Sequence, residues 1–238
     1  MSVQLSPVPD LTRPGVGAIR ISSWRVGTPE RQKAAVEAMA AAWQRGDWPD
    51  PGLLSYSVYA SDDGETLLHY TQWASDDAFQ EFLRTRSAFK EEWNAEVDAA
   101  VPGIERLGLH AYELYRSGRR IPDDHRVPGC VVIVEVDFEG PDAARQRDWI
   151  DAVFAALESD PYPHPGGMAA HFHTRTDGTR VVNYAEWESA QAHLEALAAP
   201  GDGVGSRTEQ WERVQHYPGL TGSRVTRYTP ALSMSAGV

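Results

Sequence analysis

Apolar side chains recur at helical spacing in two segments that lie far apart in the chain. Both segments follow an i, i+3, i+4, i+7 pattern, which predicts an amphipathic helix with one buried stripe. The two apolar quartets are Val36, Met39, Ala40 and Trp43, and Ile150, Val153, Phe154 and Leu157. The second quartet repeats the first after 114 positions.

The same offset superposes turn residues and aromatic residues without a gap. Between segments 51–75 and 165–189, seven of twenty-five positions are identical. In the first segment these are Pro51, Gly52, Asp63, Gly64, Tyr70, Trp73 and Ser75. Chance does not readily preserve both turn punctuation and helical phase over such a distance, so the chain contains an internal repeat.

Each half predicts the element order β-α-β-β-α-β. The predicted strands are 18–24, 53–60, 66–73 and 107–115, and 131–138, 168–174, 179–187 and 224–228. The predicted first helices are 29–45 and 142–158, with second helical regions starting near 75 and 189. This order is ferredoxin-like, with helices covering one face of an antiparallel sheet, and the sequence therefore predicts an α+β protein of two such units. Both chain ends are expected to be short tails.

Composition narrows the class of protein. The 238 residues are 42% hydrophobic and 24% charged, which favours a folded globular chain. The net charge of −12 argues against a nucleic-acid partner, because phosphate binding needs a basic surface. The single cysteine, Cys130, excludes an internal disulfide framework and favours a cytoplasmic location, and no segment predicts a membrane span.

In each half, the strand before the second helical region carries the side chains that most strongly suggest a ligand site. Alternation along a strand places Asn183, Ala185 and Trp187 on one face, with the amide and the indole roughly 13 Å apart. Small Ala185 between them leaves room for a flat ligand. The matching strand of the first half has His69 and Trp73 at the same spacing.

The blocks HYTQWASDDAFQEFL and NYAEWESAQAHLEAL resemble the antibiotic biosynthesis monooxygenase family. The resemblance implies one ferredoxin-like domain at 15–118, a linker at 119–128 and a second domain at 129–230. Members of this family pair into dimeric α+β barrels. The resemblance therefore implies a pseudo-dimeric α+β barrel that closes within one chain, and a further homodimer stays open.

The resemblance also implies candidate catalytic residues. In quinone-forming members, an Asn four residues before the Trp belongs to the active site, and Asn183 and Trp187 match that spacing. The family's helix tyrosine corresponds to His193 or Phe79, and a later arginine corresponds to Arg207. The implied reaction is oxygenation of an anthrone- or phenol-like polyketide intermediate by O2 without a cofactor. Within it, His193 acts as the base, and the second half is the better candidate.

Further residues are candidates for substrate binding, each with a plainer interpretation beside it. His69, Trp73 and Tyr184 could contact substrate or be packed core residues. His171 and His173 share one strand face, where they favour a polar pocket lining over a metal site, because no third ligand is apparent. We therefore predict no metal.

Three other functions stay open on the same fold: a reduced-flavin-dependent hydroxylase or ring-opening oxygenase, a polyketide cyclase or isomerase, and a non-catalytic binding protein. Haem degradation is disfavoured. Relatives that degrade haem have a histidine about ten residues after the Trp, and Leu83 and Leu197 occupy those places.

Overall fold

The computed structural model of the protein describes residues 2–45, 47–160, 164–199 and 208–236. They form two compact units. Unit 1 comprises Met1–Tyr112 with Tyr228–Val238, and unit 2 comprises Glu113–Arg227. None of the helices in the described parts of the chain is long and apolar enough to cross a membrane.

Strands and helices follow the same order in both halves of the chain. The elements of the first half are β1 (Val3–Leu5), β2 (Ala18–Arg25), α1 (Pro29–Gln44), β3 (Leu53–Ser61), β4 (Thr66–Trp73), α2 (Asp76–Thr85), α3 (Ser87–Ala100) and β5 (Glu105–Arg119). Those of the second half are β6 (Cys130–Phe138), α4 (Ala143–Ser159), β7 (Gly167–Arg175), β8 (Arg180–Trp187), α5 (Ala190–Ala198), α6 (Glu209–Gln215) and β9 (Leu220–Ala236). The predicted element order is confirmed, with the second helical region of each repeat divided into two helices.

Each unit has an antiparallel sheet of ferredoxin-like topology. In unit 1 the strand order is β1-β9-β3-β4-β2-β5, and in unit 2 it is β5-β7-β8-β6 with β9 beside β6. Strands β5 and β9 each belong partly to both units, because the division of the chain falls after Tyr112 and after Arg227. The predicted α+β class with two ferredoxin-like units is confirmed.

The repeat extends to the helix caps. Thr28 and Asp142 each accept a hydrogen bond from the backbone N–H three residues later, at 3.3 Å and 3.0 Å. Ser75 and Ser189 do the same at 3.0 Å and 3.1 Å. These side chains satisfy backbone donors that the first helical turn leaves free, so they fix where α1, α4, α2 and α5 begin.

The predicted hairpin turns are also repeated in detail. Gly64 and Gly178 adopt positive φ values of 76° and 74°, which glycine tolerates without a Cβ clash. Asp63 and Asp177 accept hydrogen bonds from the backbone N–H two residues later. The Asp-Gly pairs thus set the register of β3 with β4 and of β7 with β8.

The last strand of each repeat is longer than its sequence pattern indicates. Strand β5 has 15 residues and β9 has 17, because backbone pairing continues through glycine and proline positions that weaken the strand signal. Pro230 is tolerated opposite Tyr59, where the register shifts at a bulge. The prediction of short terminal tails is wrong for Val3–Leu5, which pair with Met234–Ala236.

Helices cover one face of each sheet. Leu67 and Trp73 of β4 belong to the same apolar core as Met39 and Trp43 of α1. In the second half, Val181 packs with α4 in one cluster. Ala185 and Trp187 pack with α5 in a separate cluster. We call this side of each sheet the helix-covered face, and the opposite side the far face.

Candidate functional site

The two faces of β8 separate the residues predicted to form one site. Asn183 and Trp187 alternate with Tyr184, so the indole and the amide lie on the helix-covered face and the phenol lies on the far face. The register pairs His171 with Tyr184 and His173 with Val182, which places both imidazoles on the far face too. The structure therefore brings Asn183 and Trp187 together and removes His171, His173 and Tyr184 from them.

Two imidazoles lie near the Trp187 ring. The His193 ring, on α5, is 4.9 Å from the indole at an angle of 71°. The His164 ring lies 6.1 Å away at 39°. His193 is 4% exposed, and among the described residues its Nδ1 has no hydrogen-bond partner. Burial, with a smaller contribution from the Arg227 charge, lowers the pKa of His193, so a neutral imidazole faces the indole near pH 7.

The sequence analysis did not single out His164. Its Nδ1 accepts a hydrogen bond from the Gly166 N–H at 3.1 Å. In the first half Asp50 holds the same turn by accepting from Gly52 at 2.7 Å. The repeat could have pointed to His164, because the His-Pro-Gly that it begins stands 114 positions after the Asp-Pro-Gly that begins with Asp50.

Trp73 in unit 1 has different neighbours. Phe79 and Phe82 each lie 5.1 Å from its ring. Its Nε1 donates to Thr71 Oγ1 at 2.9 Å. In unit 2 the residues at these three places are His193, Ala196 and Ala185. Compared with Trp73, Trp187 therefore has an imidazole beside it. It has an alanine in place of the threonine that accepts from the Trp73 N–H.

Asn183 lies between Val134 and Phe172 on the neighbouring strands. Its Oδ1 is buried and has no hydrogen-bond partner within the described parts of the chain. The residue is nevertheless partly exposed, as are Val134 beside it on β6 and Ala170 and Leu157, which pack against the same apolar cluster as Val134. Asn183 is thus a partly exposed amide whose oxygen is left without a partner among the described residues.

Unit 1 surrounds the equivalent position with its own aromatic side chains. His69, which matches Asn183, shares a 2.9 Å hydrogen bond between its Nδ1 and the Tyr56 hydroxyl. The Trp24 ring lies 4.1 Å from His69, and Trp93 of α3 contacts both Trp24 and Tyr56. Burial, and next the Arg106 charge, lowers the pKa of His69 to about 3.

Smaller residues replace these aromatics in unit 2. The pairing of β2 with β4 and of β6 with β8 matches Trp24 to Val136. The 114-residue offset matches Tyr56 to Ala170 and Trp43 to Leu157. These three replacements exchange aromatic rings for smaller side chains, whereas Ala35, Ala40 and Val58 of unit 1 are replaced by Trp149, Phe154 and Phe172 in the core of unit 2.

Residues 25–91 match the sequence model of the family described as antibiotic biosynthesis monooxygenase. The first half of the chain contains an antibiotic biosynthesis monooxygenase domain. The resemblance predicted from the strand-to-helix blocks is confirmed there. No curated protein matches the chain.

Three solved structures share the fold along nearly the whole chain. An anthrone oxidase-like protein is 20% identical, with a TM-score of 0.67 and coverage of 93% of this chain and 94% of that one. A protein of Fusobacterium nucleatum, provisionally named a monooxygenase, is 10% identical, with a TM-score of 0.58 and coverage of 94% and 97%. One from Lactobacillus acidophilus, similarly named, is 10% identical, with a TM-score of 0.54 and coverage of 93% and 97%. At these identities the likeness shows a common fold.

The residues that match the family model and the group of Asn183, Trp187 and His193 thus lie in different halves of the chain. Residues 25–91 include His69 and Trp73 of unit 1. Asn183, Trp187 and His193 lie in unit 2. Arg207, predicted to bind substrate, lies outside the described residues.

The far face of unit 2 holds a separate polar cluster. His171 Nδ1 is 2.8 Å from Ser117 Oγ, and its Nε2 is 3.7 Å from Glu186, which also pairs with Arg119. Burial, followed by the charges of His173 and Arg119, lowers the pKa of His171 to about 3. Within the described residues, no three His, Cys, Asp or Glu side chains converge as a metal site.

Proposed function

We propose that the protein is an oxygenase that oxidises an aromatic, anthrone- or phenol-like substrate with O2, with its active site on the helix-covered face of unit 2. The observation that carries the proposal is the Trp187 indole beside the buried, neutral His193 imidazole, on the same face as a half-buried Asn183. The family of the first domain supports the reaction class.

Substrate binding follows from the chemistry of these side chains. A planar ring system can stack on Trp187 and fill the space beside Ala170 and Ala185. The Asn183 amide can then bond to a substrate oxygen and stabilise negative charge on it. Ala185 stands in unit 2 where Thr71 accepts from the indole N–H of Trp73, so the Trp187 N–H can bond to a ligand oxygen instead.

The reaction balances without an added reductant. His193 accepts a proton from the substrate, and the resulting anion transfers one electron to O2. The substrate radical and superoxide combine to a peroxide anion, which takes the proton back from His193 and becomes a hydroperoxide. Breaking of its O–O bond and of the remaining C–H bond then releases water and leaves a carbonyl, so a CH2 group and O2 become C=O and H2O. The protein positions the reactants and excludes water.

The test is oxygen-dependent turnover of dithranol, an anthrone, by protein freed of metal and flavin. We expect quinone formation in air and none under argon. Equal product under argon would overturn the proposal. A requirement for added reduced flavin would favour the hydroxylase or ring-opening alternative. Binding without turnover would favour the cyclase, isomerase or non-catalytic alternatives.

Ala170→Tyr is a steric test of the site. The substitution introduces the unit 1 residue, Tyr56, opposite Ala185 and between Asn183 and Trp187, so we expect at least a tenfold loss of affinity for an anthraquinone, because overpacking a site excludes its ligand. Tyr56→Ala is the control: it lowers the free energy of unfolding by about 3–5 kcal/mol through cavity formation and leaves anthraquinone affinity unchanged. Fluorescence titration and urea unfolding measure both effects. Undiminished affinity in Ala170→Tyr would contradict the site.

A further inference from the structure

His164 lies on the turn before β7 and brings a second imidazole to Trp187. The two ring centroids are 6.1 Å apart, at an interplanar angle of 39°, and His164 is partly exposed. Arg120 Nη1 donates to the His164 carbonyl oxygen at 2.8 Å, and the Gly167 N–H donates to the same oxygen at 3.1 Å. These two hydrogen bonds fix the backbone that carries the imidazole.

The turn that carries His164 packs directly against two elements of the proposed site. A Cβ atom at Gly166 would lie 2.5 Å from the Ala192 Cβ on α5, so only glycine allows this close approach. A Cβ atom at Gly167 would lie 3.7 Å from Cη2 of Trp187, so the benzene ring of the indole faces the turn. The turn therefore contacts both the helix and the indole of the site.

A hydrogen bond to the His164 ring determines which nitrogen carries the ring hydrogen. The Gly166 N–H donates to Nδ1 at 3.1 Å, so in the neutral ring the hydrogen lies on Nε2. Within the described parts of the chain, no group accepts a hydrogen bond from His164 Nε2. His164 thus presents an N–H donor near Trp187, and a ligand can accept from it.

The repeat separates the role of His164 in the turn from the role of its ring. Asp50 occupies the same place in unit 1, and its Oδ1 accepts from the Gly52 N–H at 2.7 Å. A carboxylate is therefore enough to stabilise this turn. What the histidine adds in unit 2 is an aromatic ring with an N–H donor next to Trp187.

We infer that His164 is a specificity-determining residue of the unit 2 site and donates a hydrogen bond from Nε2 to an oxygen of the bound ligand. The inference rests on the proposed function for the position of the ligand against Trp187, and not on the reaction. An N–H donor pairs with an acceptor. The ligand class is therefore a planar polycyclic aromatic compound with a carbonyl or phenolic oxygen on the edge that faces His164.

The first measurement compares binding of anthraquinone with binding of anthracene, which has the same rings and no oxygen, by fluorescence titration of the full chain. In His164→Asp the carboxylate replaces the acceptor of the turn but has no N–H to donate. The preference for anthraquinone should then fall about fivefold, as expected for one lost hydrogen bond. His164→Phe keeps a ring beside Trp187 and should lose the same preference. Asp50→His, the matched control in unit 1, should keep the wild-type ratio.

The second measurement is urea unfolding without ligand. His164→Asp should leave the midpoint unchanged, because its carboxylate can accept from Gly166 as Asp50 accepts from Gly52. His164→Phe should lower the midpoint, since the Gly166 N–H loses its acceptor. A lower midpoint in His164→Asp would show that the fold itself needs the imidazole. That result overturns the inference, as does a wild-type ratio of affinities in either His164 variant.

The outcomes separate this inference from the proposed reaction. A reduced ratio of affinities in His164→Asp, in a protein that does not turn over dithranol, supports the ligand contact and rejects the oxygenase. Oxygen-dependent turnover of dithranol together with an unchanged ratio in His164→Asp supports the oxygenase and rejects the contact.

Discussion

His193→Phe is expected to lower the rate of oxygen-dependent turnover by about 100- to 10,000-fold, the usual contribution of a general base. The fold should tolerate the change, because Phe79 already makes the equivalent contact with Trp73 in unit 1, at 5.1 Å and 73°. Steady-state rates with dithranol measure the effect. Phe79→Leu is the matched control in unit 1 and should leave the rate unchanged. A His193→Phe enzyme with wild-type activity would reject the assigned base.

The pH profile gives an independent readout of the same residue. A base must be neutral to accept a proton, and burial followed by the Arg227 charge lowers the pKa of His193 below its ordinary value of 6.5. Activity should therefore persist below pH 6.5 and fall only as the pH drops through the lowered pKa. An activity limb at or above pH 6.5 would show that a different group titrates.

Acid is expected to destabilise the fold strongly between pH 6.5 and pH 4. His69 and His171 have pKa values lowered to about 3, and His173 to about 4, chiefly by burial. In the unfolded chain each imidazole binds a proton near pH 6.5, so in this window the unfolded state holds more protons. Stability is then complete above pH 6.5 and is lost as the pH falls, by roughly 1.4 kcal/mol per pH unit for each histidine.

Urea unfolding at pH 7 and pH 5 measures this loss, which we expect to be on the order of 5 kcal/mol for the three groups together. His69→Asn places the unit 2 residue in unit 1 and removes one buried imidazole, so it should reduce the pH slope by about one third. Equal stability at pH 7 and pH 5 would contradict the assignment of three buried neutral histidines. Glu186, 3.7 Å from His171, is already paired with Arg119, so burial dominates at His171.

Much of the fold could be predicted from local patterns. The offset of 114 residues, the Asp-Gly turns and the helical stripes each depend on short segments, and the structure repeats them down to the capping hydrogen bonds. The last strands could not be bounded in this way. Their pairing runs through glycine and Pro230, where the local strand signal is weak and the partner strand decides the conformation.

The candidate site was only partly predictable. Alternation along β8 alone joins Asn183 to Trp187 and directs Tyr184 to the opposite face. The far-face position of His171 depends on the register of β7 with β8, which the sequence alone does not determine. The contact of His164 with Trp187 depends on how a turn folds back on a strand.

The sequence by itself determined that this protein is two copies of one ferredoxin-like unit, because strand and helix periods and turn residues act locally. Only the tertiary structure decided what surrounds the matched residues of the two copies. The Tyr56 and Trp24 rings contact His69 and Trp93 packs against both, whereas Asn183 lies between Val134 and Phe172. Room in a core depends on the summed volumes of side chains from several elements. Those side chains meet only after the elements pack.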